Sequence, residues 1–155
     1  MLTAVLISSF AQVPAIFLAA SYSDRHGRRG IYKIGALAMA VWGFCVFPLM
    51  DTGSLLAITL ALTVGQIFIG MMYGPQAALL TELFSTEVRY SGASLGYQLG
   101  AIVGGGMAPI AATALIAAFG NAIWVSAYIA LASLLTWLSL HLLGENHQAD
   151  LEKVA

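Results

Sequence analysis

Long apolar stretches interrupted by a few short polar runs organise this chain. Positions 1–23, 34–50, 52–81 and 90–144 contain no Asp, Glu, Lys or Arg. A helix needs roughly 20 apolar residues to cross about 30 Å of hydrocarbon, so the first three windows predict one span each. The fourth is long enough for two, and Phe119-Gly120-Asn121 supplies the break, because Gly ends one helix and Asn caps the next. The pattern predicts membrane helices at about 2–21, 31–50, 55–81, 92–117 and 121–143, followed by a polar tail at 144–155. The fold class is therefore an all-α integral membrane bundle of five spans.

The polar runs set the topology. Between spans one and two lies Ser23-Asp24-Arg25-His26-Gly27-Arg28-Arg29-Gly30, a run that can sit in water at a membrane face but is too charged to cross hydrocarbon. The segments 22–30 and 82–91, the first turn of span two and the tail hold all six basic residues: Arg25, Arg28, Arg29, Lys33, Arg89 and Lys153. The opposite face carries only Asp51. Cytoplasmic loops collect Lys and Arg, so the motif loop and the C-terminus are expected inside and Met1 outside. Composition agrees: 60% hydrophobic, 8% charged and a mean hydropathy of +0.89, against about 25% charged residues in soluble domains. Apolar character runs the whole length, so a cleaved signal peptide does not explain it.

Little in the sequence points to catalysis. Cys45 is the one cysteine and lies mid-span, which removes disulfides and cysteine metal sites. His26, His141 and His147 show no ligand spacing, and no Gly-rich phosphate loop, HExxH or Gly-x-Ser-x-Gly is present. A Ser-His-Asp set stays open but nothing points to one. The chain is read as a non-enzyme, without metal, cofactor or nucleic-acid partner.

Asp24-Arg25-His26-Gly27-Arg28-Arg29 resembles the loop motif of the major facilitator superfamily, Gly-x-x-x-Asp-Arg/Lys-x-Gly-Arg/Lys-Arg/Lys, with Ala20 at the leading glycine position. Gly27 permits a tight turn, and Arg28 can pair with a carboxylate. The plain alternative is a solvated basic turn. A second stretch, from Gly74-Pro75-Gln76 through Thr81-Glu82-Leu83-Phe84 to Gly96-Tyr97-Gln98, is similar to the span ten to eleven region of the metabolite:proton symporter branch. The resemblance covers the whole chain as spans eight to twelve of a twelve-span protein, so seven N-terminal spans would be missing partners.

That resemblance implies proton-coupled symport of a small organic metabolite, an organic acid or osmolyte, across the bacterial inner membrane. It also implies a cytoplasmic gate of Asp24, Arg25, Gly27, Arg28, Arg29, Glu82 and Arg89. Charge at the membrane edge with no gating role is the other reading of these residues. Five spans cannot complete a six-helix half, so the isolated chain is expected not to transport. No acid or base lies deep in a span, so the coupling carboxylate is expected in the missing half. A membrane scaffold or assembly subunit that does not transport is the alternative function.

Polar side chains inside the spans are few, and an amide in hydrocarbon needs a partner or water. Gln12, Gln66, Tyr73, Tyr97 and Gln98 are therefore substrate-path candidates, with interhelical hydrogen bonding as the competing reading. Gly92, Gly96, Gly100 and Gly104 form a smooth stripe on span four, which predicts close approach of a second helix. Pro14, Pro48, Pro75 and Pro109 fall one in each of the first four spans, and Gly74-Pro75 is the expected flexible point.

Overall fold

The computed structural model describes residues 2–143. Met1 and residues 144–155, which include the expected tail, His147 and Lys153, lie outside the described residues. The chain forms α1 (Leu2–His26), α2 (Arg28–Asp51), α3 (Leu55–Glu82), α4 (Arg89–Ala101), a π-helical segment (Ile102–Met107), α5 (Ala108–Phe119) and α6 (Ile123–Leu142). With α4, the π segment and α5 running as one span, there are five long apolar helices of 20 to 31 residues. At about 1.5 Å per residue these are roughly 30–46 Å long, enough to cross a bilayer.

The motif loop expected at 22–30 is nearly all helix, and the chain reverses at one residue. Gly27 takes φ 95°, a left-handed conformation open to glycine at no steric cost, and its N–H closes the end of α1 on the Ser23 carbonyl at 2.9 Å. Arg25 and His26 in the last turn of α1 complement the negative helix end, which favours continuing the helix past the apolar segment. At the other end of the bundle, Thr52-Gly53 turns the chain into α3, with Gly53 at φ 66°. Gly120, also at φ 66°, ends α5, and Asn121 Oδ1 accepts the Ile123 N–H at 2.9 Å to start α6.

The core mixes small residues with a few branched ones, Ile31, Ile58, Leu79, Val125 and Leu140. Ala4, Ala19, Ala36, Ala40 and Ala61 are buried, while Phe10, Phe17, Leu18 and Leu56 are exposed where lipid would meet them. α3 packs against α1 and α2, and α6 packs on α2. Glycines set these approaches. A methyl on Gly74 would sit 2.7 Å from the Ile16 carbonyl, and one on Gly70 would sit 2.9 Å from the Ala15 side chain. Gly70-Met71-Met72-Tyr73-Gly74 is thus a working Gly-x-x-x-Gly contact. Gly35 meets the Phe68 carbonyl and Gly43 meets Ile129 in the same way, each within 3.2 Å of an added methyl. Trp42 Nε1 donates to the Ala61 carbonyl at 3.1 Å, adding a polar tie between α2 and α3.

The fourth span departs from this pattern. α4 touches α3, α5 touches α6, and the π segment touches only its own flanks. No residue of the span is buried. The close helix approach expected along the glycine stripe is therefore not made within the described residues. Gly92 meets the Phe84 ring and Gly96 has only Leu80 nearby at 3.9 Å, while Gly100 and Gly104 have nothing within 4 Å. Small residues allow a close approach without supplying the helix that makes it.

Candidate functional site

The motif-loop end of the bundle gathers charges from three helices. Arg28, in the first turn of α2, forms an ion pair with Glu82 at the end of α3. Its Nη2 also lies 3.2 Å from Asp24 Oδ1, across the Gly27 reversal from α1. Placing Asp24 one turn before the pivot and Arg28 just after it lets one guanidinium serve two carboxylates. The Arg28 side chain is 26% exposed, Glu82 35% and Asp24 61%, so the Glu82 contact is the better shielded of the two. An exposed pair contributes about 0.2–1 kcal/mol; a shared guanidinium couples the two, so losing either partner weakens both.

Arg29 faces a different partner. Its Nη1 donates to the Leu143 carbonyl, just past α6, at 2.5 Å. Arg89 Nε reaches the Phe84 carbonyl at 3.4 Å and so closes its own loop rather than joining the Arg28 cluster. Arg25 is exposed and makes no ion pair among the described residues. His26 stacks on Tyr22 with ring centres 4.3 Å apart, and His141 stacks on Trp137 at 5.2 Å. Among the described residues no group of His, Cys, Asp or Glu is arranged to hold a metal.

Further along the helices, two of the five polar candidates come together, both exposed rather than buried in the bundle. The Tyr73 and Tyr97 hydroxyls lie 3.3 Å apart and join α3 to α4. Gln12 and Gln66 are half-buried, and Gln98 is exposed. Tyr97 also lines an open cleft of about 800 Å³ between α2, α3, the fourth span and α6. Its polar lining adds Tyr32, Gln76, Thr136 and Ser139, and its smooth wall is Gly96, Gly100 and Gly104. Gln12, Gln66, Tyr73 and Gln98 lie off that lining.

The sequence reading missed those four polar residues. Gln76 directly follows Gly74-Pro75 and could have been found by its polarity within an apolar window. Thr136 and Ser139 bond their own helix carbonyls at 2.9 and 2.8 Å, which is how a lone hydroxyl is satisfied in any apolar helix. Such residues give no signal of convergence.

A family model described as Major Facilitator Superfamily matches residues 1–153. A Haemophilus influenzae protein provisionally named for metabolite transport is 38% identical over 150 residues, covering 97% of this chain and 34% of that protein. An inner membrane metabolite transport protein of Escherichia coli is 34% identical, with 97% and 34% covered. A citrate-proton symporter of Klebsiella pneumoniae is 35% identical over 118 residues, with 76% and 26% covered. The chain thus spans a quarter to a third of the length of these curated relatives. No solved structure matches at the stringency these relatives meet.

Proposed function

The chain belongs to the major facilitator superfamily, and from that premise we propose that it serves as part of a longer, proton-coupled carrier of a small organic metabolite. Family membership sets it among multi-pass membrane transporters rather than enzymes. The Klebsiella relative, named for citrate and proton, supports an organic acid as substrate class and symport as the coupling. The Escherichia coli relative supports a bacterial inner membrane. The one-sided distribution of Lys and Arg supports a motif loop facing the cytoplasm.

The observation that carries the reading is Arg28 bridging Asp24 and Glu82. In this reading the cluster locks three helices together at the inner face and must loosen when the carrier opens inward. Such a lock only biases the equilibrium between outward and inward states, so its removal alters turnover rather than membrane insertion. The substrate path then runs past Tyr73 and Tyr97, where two spans meet through hydroxyls, with Gln66 and Gln12 further along. The open cleft, with a glycine wall on which Gly100 and Gly104 have nothing within 4 Å and amide and hydroxyl groups opposite, is read as the seat of a sixth helix from the rest of the carrier.

The test is a chimera in which this chain replaces the matching segment of the Klebsiella citrate-proton symporter. We expect saturable citrate uptake that collapses with a protonophore, and loss of that uptake in Asp24→Arg with unchanged membrane levels. A chimera whose uptake survives the charge reversal would remove the gate from the mechanism. The scaffold reading is favoured by one observation, the uncovered glycine wall. It predicts instead that the chain alone cross-links to a stable homo-oligomer through Gly100 and Gly104.

A further inference from the structure

Arg28 and Arg29 are neighbours in the sequence but fasten different parts of the bundle. Arg28 holds the ends of α1 and α3, whereas Arg29 reaches away from them to the Leu143 carbonyl at 2.5 Å. Leu143 follows the last helical residue in an extended conformation, ψ 101°, so its carbonyl turns out of the helix and is left without an intrahelical partner. A guanidinium donating there makes a charge-assisted hydrogen bond. Among the described residues this is the only side-chain hydrogen bond joining the α6 end to another helix. Elsewhere the α2–α6 seam is held by packing, with Ile129 lying 3.2 Å from an added methyl on Gly43. Gly43 stands about 21 Å along α2 from Arg29 at ~1.5 Å per residue, so the seam is fastened at two separated levels.

We propose that Arg29 is a positioning residue of the inner gate, holding the end of α6 to the start of α2 so that α6 opens and closes with the Arg28 cluster. The inference rests on reading that cluster as the gate. Its consequence for the cleft is direct. Tyr32 lies one turn beyond Arg29, and Ser139 and Leu140 lie one turn before Leu143; all three line the cleft. The Arg29 bond therefore sets the width of the cleft at its motif-loop end. The partner is a backbone carbonyl, so the tie needs a cationic donor at position 29 and no particular side chain at 143.

This chain in lipid nanodiscs allows a direct test. Its one cysteine, Cys45, is first removed as Cys45→Ala, and spin labels are introduced in pairs. Gly30→Cys with Leu142→Cys reports the α2–α6 distance, and Gly30→Cys with Glu87→Cys reports the distance from α2 to the loop after α3. All three labelling positions are exposed, and an added methyl at Gly30 meets nothing within 4 Å. Pulsed electron paramagnetic resonance then gives each distance distribution. Arg29→Gln is expected to lengthen and broaden the 30–142 distribution while leaving 30–87 as in wild type, and Arg29→Lys is expected to restore it. Arg28→Gln is expected to do the reverse, shifting 30–87 and sparing 30–142. An unchanged 30–142 distribution in Arg29→Gln overturns the inference, as does a shift of both distances together, which would mean general loosening. An unchanged 30–87 distribution in Arg28→Gln counts against the gate cluster instead, and the Arg29 arm still decides the α6 tie.

Discussion

Gly70 and Gly74 bring α3 into backbone contact with α1, and there a single methyl group decides the packing. The Ile16 carbonyl and the Ala20 backbone nitrogen, 2.7 and 3.0 Å from a methyl on Gly74, belong to a continuous helix and cannot rotate away as a flexible side chain could. Overpacking of a close-packed site costs about 1–3 kcal/mol. Gly74→Val is accordingly expected to lower the thermal midpoint of the detergent-solubilised chain, read by tryptophan fluorescence or size-exclusion survival. Gly100→Ala, with nothing within 4 Å, is expected to stay within about 0.5 kcal/mol of wild type. The two glycines look alike in the sequence, and both belong to runs spaced by four. Only the partner helix separates a contact from an open face.

At the scale of elements, the fourth span is a strut in two pieces. Its first half, α4, rests on α3 through the Tyr73–Tyr97 hydroxyls and on the loop after α3 through the Phe84–Gly92 contact. Its second half, α5, rests on α6, where Phe119 stacks on Trp124 with ring centres 4.6 Å apart. Between them the backbone runs through Ile102-Val103-Gly104-Gly105-Gly106-Met107 as a π-helical turn followed by Pro109. Each glycine lowers helix stability by about 1 kcal/mol relative to alanine, and π turns collect at functional positions. Any movement of α3 relative to α6 would be absorbed here. Gly105→Ala combined with Gly106→Ala is expected to slow amide hydrogen exchange across residues 102–107 in nanodiscs, with little change in α4 or α5. Exchange that is already as slow in the wild-type π segment as in its flanks would show that the strut is rigid.

At the scale of the whole molecule, the five spans form a packed group of four helices and one span held mainly at its two ends. A cleft of about 800 Å³ lies beneath that span. A chain that covers about a third of its first relatives and leaves such a face open is expected to show no saturable, gradient-driven uptake in proteoliposomes. Saturable uptake by the chain alone would overturn that expectation. Cysteine introduced as Gly104→Cys is expected to react readily with a membrane-permeant maleimide in the isolated chain and to be protected in the citrate symporter chimera. Equal reactivity in both would mean that no helix fills the cleft.

Hydrophobic spacing alone determined the all-α membrane class and the five long helices, because the cost of unpaired backbone in hydrocarbon leaves few other solutions. The Gly27 reversal was equally legible, since a glycine between charged neighbours at a helix end has a local conformational reason to be there. Tertiary structure decided the rest. Resemblance to the family's motifs brought Arg28 and Glu82 forward as gate residues, but Arg29's partner is a carbonyl, and every residue carries one. Likewise Tyr32, Gln76, Thr136 and Ser139 come from three helices and share a cleft only because α2, α3 and α6 pack as they do. Periodicity along one helix tells which residues share a face; which face meets which is a property of the assembled bundle, set by shape and by contacts far apart in the chain.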